Sequence, residues 1–257
     1  MRLTPVASGS SGNSYLVEAE SAKLLIDAGL TAKQIVLRLG QVGVDPGDLH
    51  AIVVSHAHSD HVKGVGVLSR KFKIPVWMNE GTRSVIGDSL GKIDTWEAFE
   101  TGKSFQVAGF KIHPFAVPHD CKDPVGFRIT REAAGIGIAT DMGTPTGLAA
   151  TLLTGLEVVV VESNHDPVML QEGPYPWELK QRIRGRLGHL SNPDSARLLQ
   201  RIVSDRLRFV VLGHLSEKNN RQELALDCAR EALHGFLNTG GRLYCASQDE
   251  VGPSIEI

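Results

Sequence analysis

Ser55-His56-Ala57-His58-Ser59-Asp60-His61 is the stretch on which the reading turns, and it follows directly on the apolar run Ala51-Ile52-Val53-Val54. The β-branched run predicts a strand over 51–55, which puts the polar residues in the loop at its end. His56 and His58, two apart, can aim at one point. Asp60 and His61 are adjacent, so they diverge and reach a neighbouring point. Imidazole and carboxylate together suit zinc, iron or manganese, and no cysteine competes. In a chain of 257 residues with ten histidines and fourteen aspartates, HxHxDH arises by chance roughly once in a thousand.

Two ions need more ligands than these four, and a bridging carboxylate would hold them about 3.5–4 Å apart. Three candidates each follow an apolar run and precede a turn. They are His119 in Val117-Pro118-His119-Asp120, Asp141 in Ala139-Thr140-Asp141-Met142-Gly143, and His214 in Leu212-Gly213-His214-Leu215-Ser216. Spacing alone does not choose between His119 and His113, nor rank His165 and His189.

The length predicts one domain over 1–257, and 42% hydrophobic with 22% charged residues is ordinary globular composition. Folding at this size buries about 70–75% of the unfolded chain's surface, so no disulfide staples are needed. The three cysteines have neither CxxC nor CxxH spacing, which disfavours a disulfide framework and a zinc knuckle and points to a reducing cytoplasm. No apolar run reaches the length of a signal-peptide core or the roughly 18 residues of a membrane span. Aromatics at 5% disfavour stacking platforms for single-stranded nucleic acid.

No internal repeat or linker is visible. Strands are expected over 2–7, 15–19, 23–27, 126–131, 135–140, 157–162, 207–212 and 242–246. Helices are expected over 31–39 with Thr31 as N-cap, 193–204 and 221–237. This alternation predicts a layered α/β fold, with a mixed sheet or two sheets flanked by helices. From Lys180 to Arg208 the chain carries a net charge of +6, against −8 for the remainder. Such clustering suits either an anion-facing surface or a pair of solvated helix faces. Lys180, Arg182, Arg184 and Arg186 recur every two residues, but Pro174 and Pro176 upstream suit a helix start. On a helix about two of the four, taken as Arg182 and Arg186, would face a metal cleft.

HxHxDH after an apolar strand, followed by separate His, Asp and His positions, resembles the metallo-β-lactamase superfamily over essentially the whole chain. Asp27-Ala28-Gly29 matches that superfamily's first motif. Five further segments look like its WalJ/YycJ branch, itself similar to tRNase Z and PhnP-type phosphodiesterases. They are Ala7-Ser8-Gly9-Ser10-Ser11-Gly12-Asn13-Ser14, Pro118-His119-Asp120, Glu162-Ser163-Asn164-His165-Asp166, Gly188-His189-Leu190-Ser191-Asn192, and His214-Leu215-Ser216 with Asn219-Asn220.

The resemblance implies a four-layer αββα sandwich, two mixed β-sheets flanked by helices. It implies two divalent ions, Zn²⁺ or Mn²⁺ with iron as a further option. One would be held by His56, His58 and His119, the other by Asp60, His61 and His214, with Asp141 bridging. Asp27 would orient a ligand imidazole. Asp60 would also accept a hydrogen bond from the attacking water, and His189 would lie beside the scissile phosphate with Glu162 as its acidic partner. Glu162-Ser163-Asn164 departs from the tRNase Z form of that motif, and His113, His165 and Asp166 receive no role. The implied activity is that of a metal-dependent phosphodiesterase, a 5′→3′ exonuclease on DNA rather than RNA, using a dinuclear metal-bound hydroxide. The chain has no room for a β-CASP insertion and shows no tRNA-gripping arm. The competing reading is a small-molecule hydrolase of the same fold, cleaving a cyclic phosphodiester, thioester or lactone. It would be preferred were the pocket closed and the arginines turned away. A non-catalytic metal-binding module is disfavoured because every ligand position is filled. No membrane partner is expected, and oligomeric state is left open.

Overall fold

The run Val158–Glu162 is buried at every position. Val158 and Val160 face one apolar core, Val159 and Val161 another. A strand covered on both faces reads as an unbroken apolar run, and that is why this one was legible. It belongs to a computed structural model that describes residues 1–257.

The first sheet takes, in spatial order, β1 (Arg2–Ala7), β2 (Ser14–Ala19), β3 (Ala22–Ile26), β4 (Ala51–Val53), β5 (Val76–Asn79) and β6 (Trp96–Phe99). The second takes β7 (Phe105–Val107), β8 (Phe110–Ala116), β9 (Val125–Arg131), β10 (Ala134–Ala139), β11 (Val158–Glu162), β12 (Phe209–Gly213) and β13 (Arg242–Cys245). The last strand, β14 (Ile255–Glu256), returns to pair with β1, so each sheet has seven strands. Each is mixed. β1 to β3 are antiparallel and β3 to β6 parallel; β7 to β10 are antiparallel and β10 to β13 parallel.

One core lies between the sheets, where Leu24 and Ile26 meet Phe127, Val160 and Val211. The outer face of the first sheet is covered by Ile35 and Leu39 of helix Ala32–Gln41 and by Val65 and Leu68 of helix Val65–Phe72. The outer face of the second is covered by helices Gly147–Leu153, Asn192–Ile202 and Gln222–Ala232. The result is the four-layer αββα sandwich. Thr31 caps its helix in a capping box with Gln34, as expected. The helix expected over 221–237 is instead two, because Leu233 (φ −106°, ψ 16°) leaves helical geometry before His234–Asn238 resumes and buries Phe236. The basic segment is helical over Trp177–Arg184. The loops after β3, β4, β8, β10, β11 and β12 meet at the carboxyl ends of the parallel strands, the usual ligand crevice of α/β sheets.

Candidate active site

Three loops of the first half are stitched together by their backbones. Asn13 N donates to Asp60 O and Ala28 N to His61 O, both at 2.8 Å, while Gly29 N donates to Asn13 O at 2.9 Å. Glycine is required at 29, since a Cβ there would lie 1.6 Å from the Asp60 carbonyl oxygen. Asp27, Asp141 and His214 stand just beyond three strand ends with left-handed φ of 58°, 56° and 55°. Such a conformation costs about 1–3 kcal/mol per residue and persists where surrounding contacts impose it.

Two sets of ligand-type atoms result, each within 4.8 Å of one another: His56, His58 and His119, and Asp60, His61, Asp141 and His214. The outer nitrogens of four imidazoles are engaged by the protein. His61 Nδ1 donates to Asp27 Oδ2 at 2.8 Å, His214 Nδ1 to Glu162 Oε1 at 2.8 Å, and His119 Nδ1 to the Gly188 carbonyl at 3.0 Å. His56 Nδ1 lies 3.0 Å from Ser55 Oγ, which itself donates to Asp27 Oδ2 at 2.8 Å. Pinning Nδ1 fixes the ring and turns Nε2 inward, the nitrogen that a metal would take, as in metal-ligating histidines. His58 is turned the other way, its Nδ1 3.1 Å from His119 Nε2. The donor sets fit divalent ions on a further ground. His56 Nε2 and Asp141 Oδ2 are buried without a hydrogen-bond partner, and such atoms are expensive unless something binds them.

A third group, Asp141, Glu162, His189 and His214, also has ligand-type atoms close together. Here the carboxylate is already saturated. Glu162 Oε2 accepts from Met142 N (2.8 Å) and Leu190 N (3.0 Å), and Oε1 accepts from His189 Nδ1 (2.7 Å) and His214 Nδ1 (2.8 Å). Glu162 is a clamp that orients two imidazoles. His189 sits between the sets, its ring centroid 5.0 Å from that of His119 and 5.1 Å from that of His214.

Burial opposes charge on Asp60, Asp141 and Glu162, but the surrounding histidines outweigh it. All three stay below the usual carboxylate range, Glu162 at about 2. Burial likewise opposes charge on His61 and His214, and here Asp141 and its neighbouring carboxylates prevail and raise both, His214 to about 10. At His56 burial dominates, His61 adds to it and Asp141 offsets only part, so the ring is pushed well below the usual value. The site is therefore dense in ionised carboxylate, which favours cations.

All seven residues expected as ligands converge, and Asp27 sits behind His61 as expected. The alternatives at 113 and 119 separate: His113 hydrogen-bonds Ser104 away from the centre, while His119 enters it. Asp166 accepts from Met169 N at 2.8 Å and caps helix Pro167–Glu172. Sequence reasoning gave no role to Asn13, whose Nδ2 lies 3.1 Å from His61 Nε2, nor to Ser8, whose Oγ accepts from His214 N at 2.7 Å. Both lie in the quoted 7–14 segment, which carried the only signal.

A cleft of about 300 Å³ opens over the two sets, walled by His58, Asp60, His119, His189 and Arg182 among others. Arg182 pairs with Asp120, which lies beside His119. Of the alternating cations, Arg182 alone lines this cleft. The expected pairing of Arg182 with Arg186 does not hold, because the helix ends at Arg184 and Arg186 lies beyond its axis.

Residues 7–214 match the model of the metallo-β-lactamase superfamily. The chain is 39% identical to exodeoxyribonuclease WalJ of Streptococcus pneumoniae, over 98% of this chain and 96% of that protein. It is 35% identical to exodeoxyribonuclease YycJ of Bacillus anthracis, over 88% and 86%. In fold it is similar to the metallo-β-lactamase fold protein YhfI of Bacillus subtilis, with a TM-score of 0.77 over 99% of both chains at 17% identity.

Proposed function

The chain belongs to the metallo-β-lactamase superfamily and to the branch of the WalJ and YycJ exodeoxyribonucleases, and from that premise we propose that it is a metal-dependent exodeoxyribonuclease. The observation that carries this reading is the meeting, in one open cleft, of both metal-capable sets, the Glu162-clamped His189 and Arg182.

His56, His58 and His119 would hold one ion, and Asp60, His61 and His214 the other, with Asp141 between them. Divalent ions, when bound there, would supply a water of pKa lowered from 15.7 to roughly 7 and a counter-charge to the phosphate oxygens. Imidazole and carboxylate ligands suit Zn²⁺, Mn²⁺ or iron. Asp60, on the wall of the cleft, would accept a hydrogen bond from the attacking water. Glu162 accepts from His189 Nδ1 and favours the imidazolium, whose Nε2–H would protonate the leaving oxygen. Arg182 offers its cation to a phosphate beside the scissile one without reading sequence.

The three cysteines are unpaired and only partly buried, which supports a reducing cytoplasm, and no helix is long and apolar enough to cross a membrane. We take residues 1–257 as one hydrolase domain. The small-molecule alternative is less favoured because Arg182 lines the cleft with a side chain 61% exposed.

The test is hydrolysis of 5′-labelled duplex DNA against bis(p-nitrophenyl) phosphate, with and without added Mn²⁺. Metal-dependent release of label from DNA is expected. Turnover of the small ester alone would overturn the nuclease reading.

A further inference from the structure

His189 lines a second cavity as well as the metal-facing cleft. This one measures about 170 Å³, and its wall includes His165, Trp177, Lys180, Arg184, Ser191 and Asp194. A cavity of about 150 Å³ is enough for a benzene ring, so this one takes a single small group rather than a length of duplex.

Its chemistry is cationic and uncommitted. Lys180 Nζ donates to the Gln171 carbonyl at 2.8 Å, and the Arg184 guanidinium lies 5.6 Å over the Trp177 ring, so neither cation is spent on a carboxylate. The one acid on the wall, Asp194, is already held by Ser191 Oγ at 2.6 Å and by Arg197. His165 is 3% exposed and its Nδ1 has no hydrogen-bond partner. Burial holds it down to about pKa 4, so the ring is neutral and has one N–H to give. Within Glu162-Ser163-Asn164-His165-Asp166 the two acids serve as clamp and helix cap. The fold finds no use for the histidine.

We infer that this cavity is a subsite for the 5′-terminal phosphate monoester of the DNA strand, one nucleotide from the scissile phosphate; the inference rests on the nuclease reading. A monoester carries roughly −1.5 to −2 at neutral pH, where an internal diester carries one charge, so two cations on the wall of one small cavity select the chain end. The nucleoside joining the two phosphates passes His189, which brings its 3′ oxygen to the imidazole. A water oxygen bonds to phosphorus, the P–O3′ bond breaks, and O3′ takes a proton from His189 while the water's proton leaves to solvent. The products are a deoxynucleoside 5′-monophosphate and a strand with a new 5′-phosphate, the group the subsite takes for the next cut.

Two measurements on the full-length protein test it. The first compares hydrolysis of 5′-phosphorylated and 5′-hydroxyl duplexes of one sequence. The wild type should prefer the phosphorylated end by about tenfold or more, the scale of one hydrogen bond to a charged group, and Lys180→Ala/Arg184→Ala should bring the ratio to near one. Equal rates on both ends in the wild type, or equal slowing of both ends in the variant, would overturn the subsite. The second follows tryptophan fluorescence during titration with deoxyadenosine 5′-monophosphate or deoxyadenosine. A saturable change is expected with the monophosphate only, lost in the double variant and in Trp177→Phe. Such binding without any DNA hydrolysis would sink the nuclease reading and leave the phosphate subsite standing. DNA hydrolysis without end preference or monophosphate binding would do the reverse.

Discussion

Glu162→Gln removes a charge and an acceptor from the buried site while keeping its shape. The wild-type carboxylate accepts two backbone N–H groups at Oε2 and two imidazole N–H groups at Oε1, all at 2.7–3.0 Å. In the amide, the carbonyl oxygen stays with the backbone pair, which has no other acceptor. The NH₂ group then faces Nδ1 of His189 and His214, and those nitrogens must give up their protons. Each neutral ring then carries its one proton on Nε2, the atom His214 turns toward Asp60 and Asp141. A protonated Nε2 cannot ligate, so affinity at the Asp60, His61 and His214 set should fall about 10–100-fold, as for other partners of metal ligands. His189 loses the carboxylate that favours its charged form, and with it about 10²–10⁴ in turnover. The hydrogen bonds are re-formed rather than lost, so stability should change by only about 1 kcal/mol. Glu162→Ala, by contrast, orphans four buried donors at about 1–3 kcal/mol each and should approach the limit of the fold. The assay pairs long-range ¹H–¹⁵N spectra of the imidazoles with metal content after dialysis against a chelator. Wild-type turnover in the glutamine variant, with both rings still protonated at Nδ1, would refute the clamp.

His56→Ala, Asp60→Ala and Asp141→Ala should each abolish hydrolysis and lower metal content from near two per chain, with circular dichroism unchanged. Wild-type activity that survives exhaustive chelation would sink the dinuclear centre. His189→Ala should keep both metals and lose about 10²–10⁴ in turnover; loss of a metal instead would make His189 a ligand. Arg182→Glu should weaken duplex binding at every sequence and flatten its log–log salt slope by about one unit, measured by fluorescence anisotropy. Gly29→Ala drives a Cβ into the Asp60 carbonyl and should destabilise by about 3 kcal/mol or more, read from urea unfolding.

What was legible followed from local chemistry. The loop 56–61 spells out four metal-capable side chains because one turn after β4 presents them all, and Thr31 spells out a helix start because a cap acts over three residues. Strands buried on both faces, such as Val158–Glu162, announced themselves as apolar runs. Short strands with half-exposed patterns, such as β6 and β7, carried too little contrast. The choice of His119 over His113 depends on which residue lies past the end of β8, a matter of where the sheet stops. The roles of Ser8 and Asn13 depend on backbone contacts to His214 and Asp60, some 206 and 47 residues away, which no local pattern encodes.

The two sheets explain why the metal-capable residues divide as they do. Strands β3 to β6 and β10 to β13 repeat the same run of parallel pairs, although no repeat is visible in the sequence. Asp27 and Asp141 occupy equivalent places, each one or two residues past its strand in the left-handed conformation. The backbone therefore presents a carboxylate to the centre twice. What lies behind each carboxylate decides its use. Asp27 is consumed by Ser55 and His61, which leaves it no free oxygen for an ion, whereas Asp141 Oδ2 has no hydrogen-bond partner. The third strands of the two runs, β5 and β12, diverge similarly. At the end of β5, Asn79 caps helix Glu80–Ile86 through Thr82 N, while past the end of β12 His214 turns inward with its Nδ1 held by Glu162. The first half thus concentrates its metal-capable side chains in a single loop, and the second supplies His119, Asp141 and His214 singly from past the ends of β8, β10 and β12. A motif search reads the first arrangement easily. The second becomes readable only once the sheet has brought Asp141, Glu162 and His214 side by side.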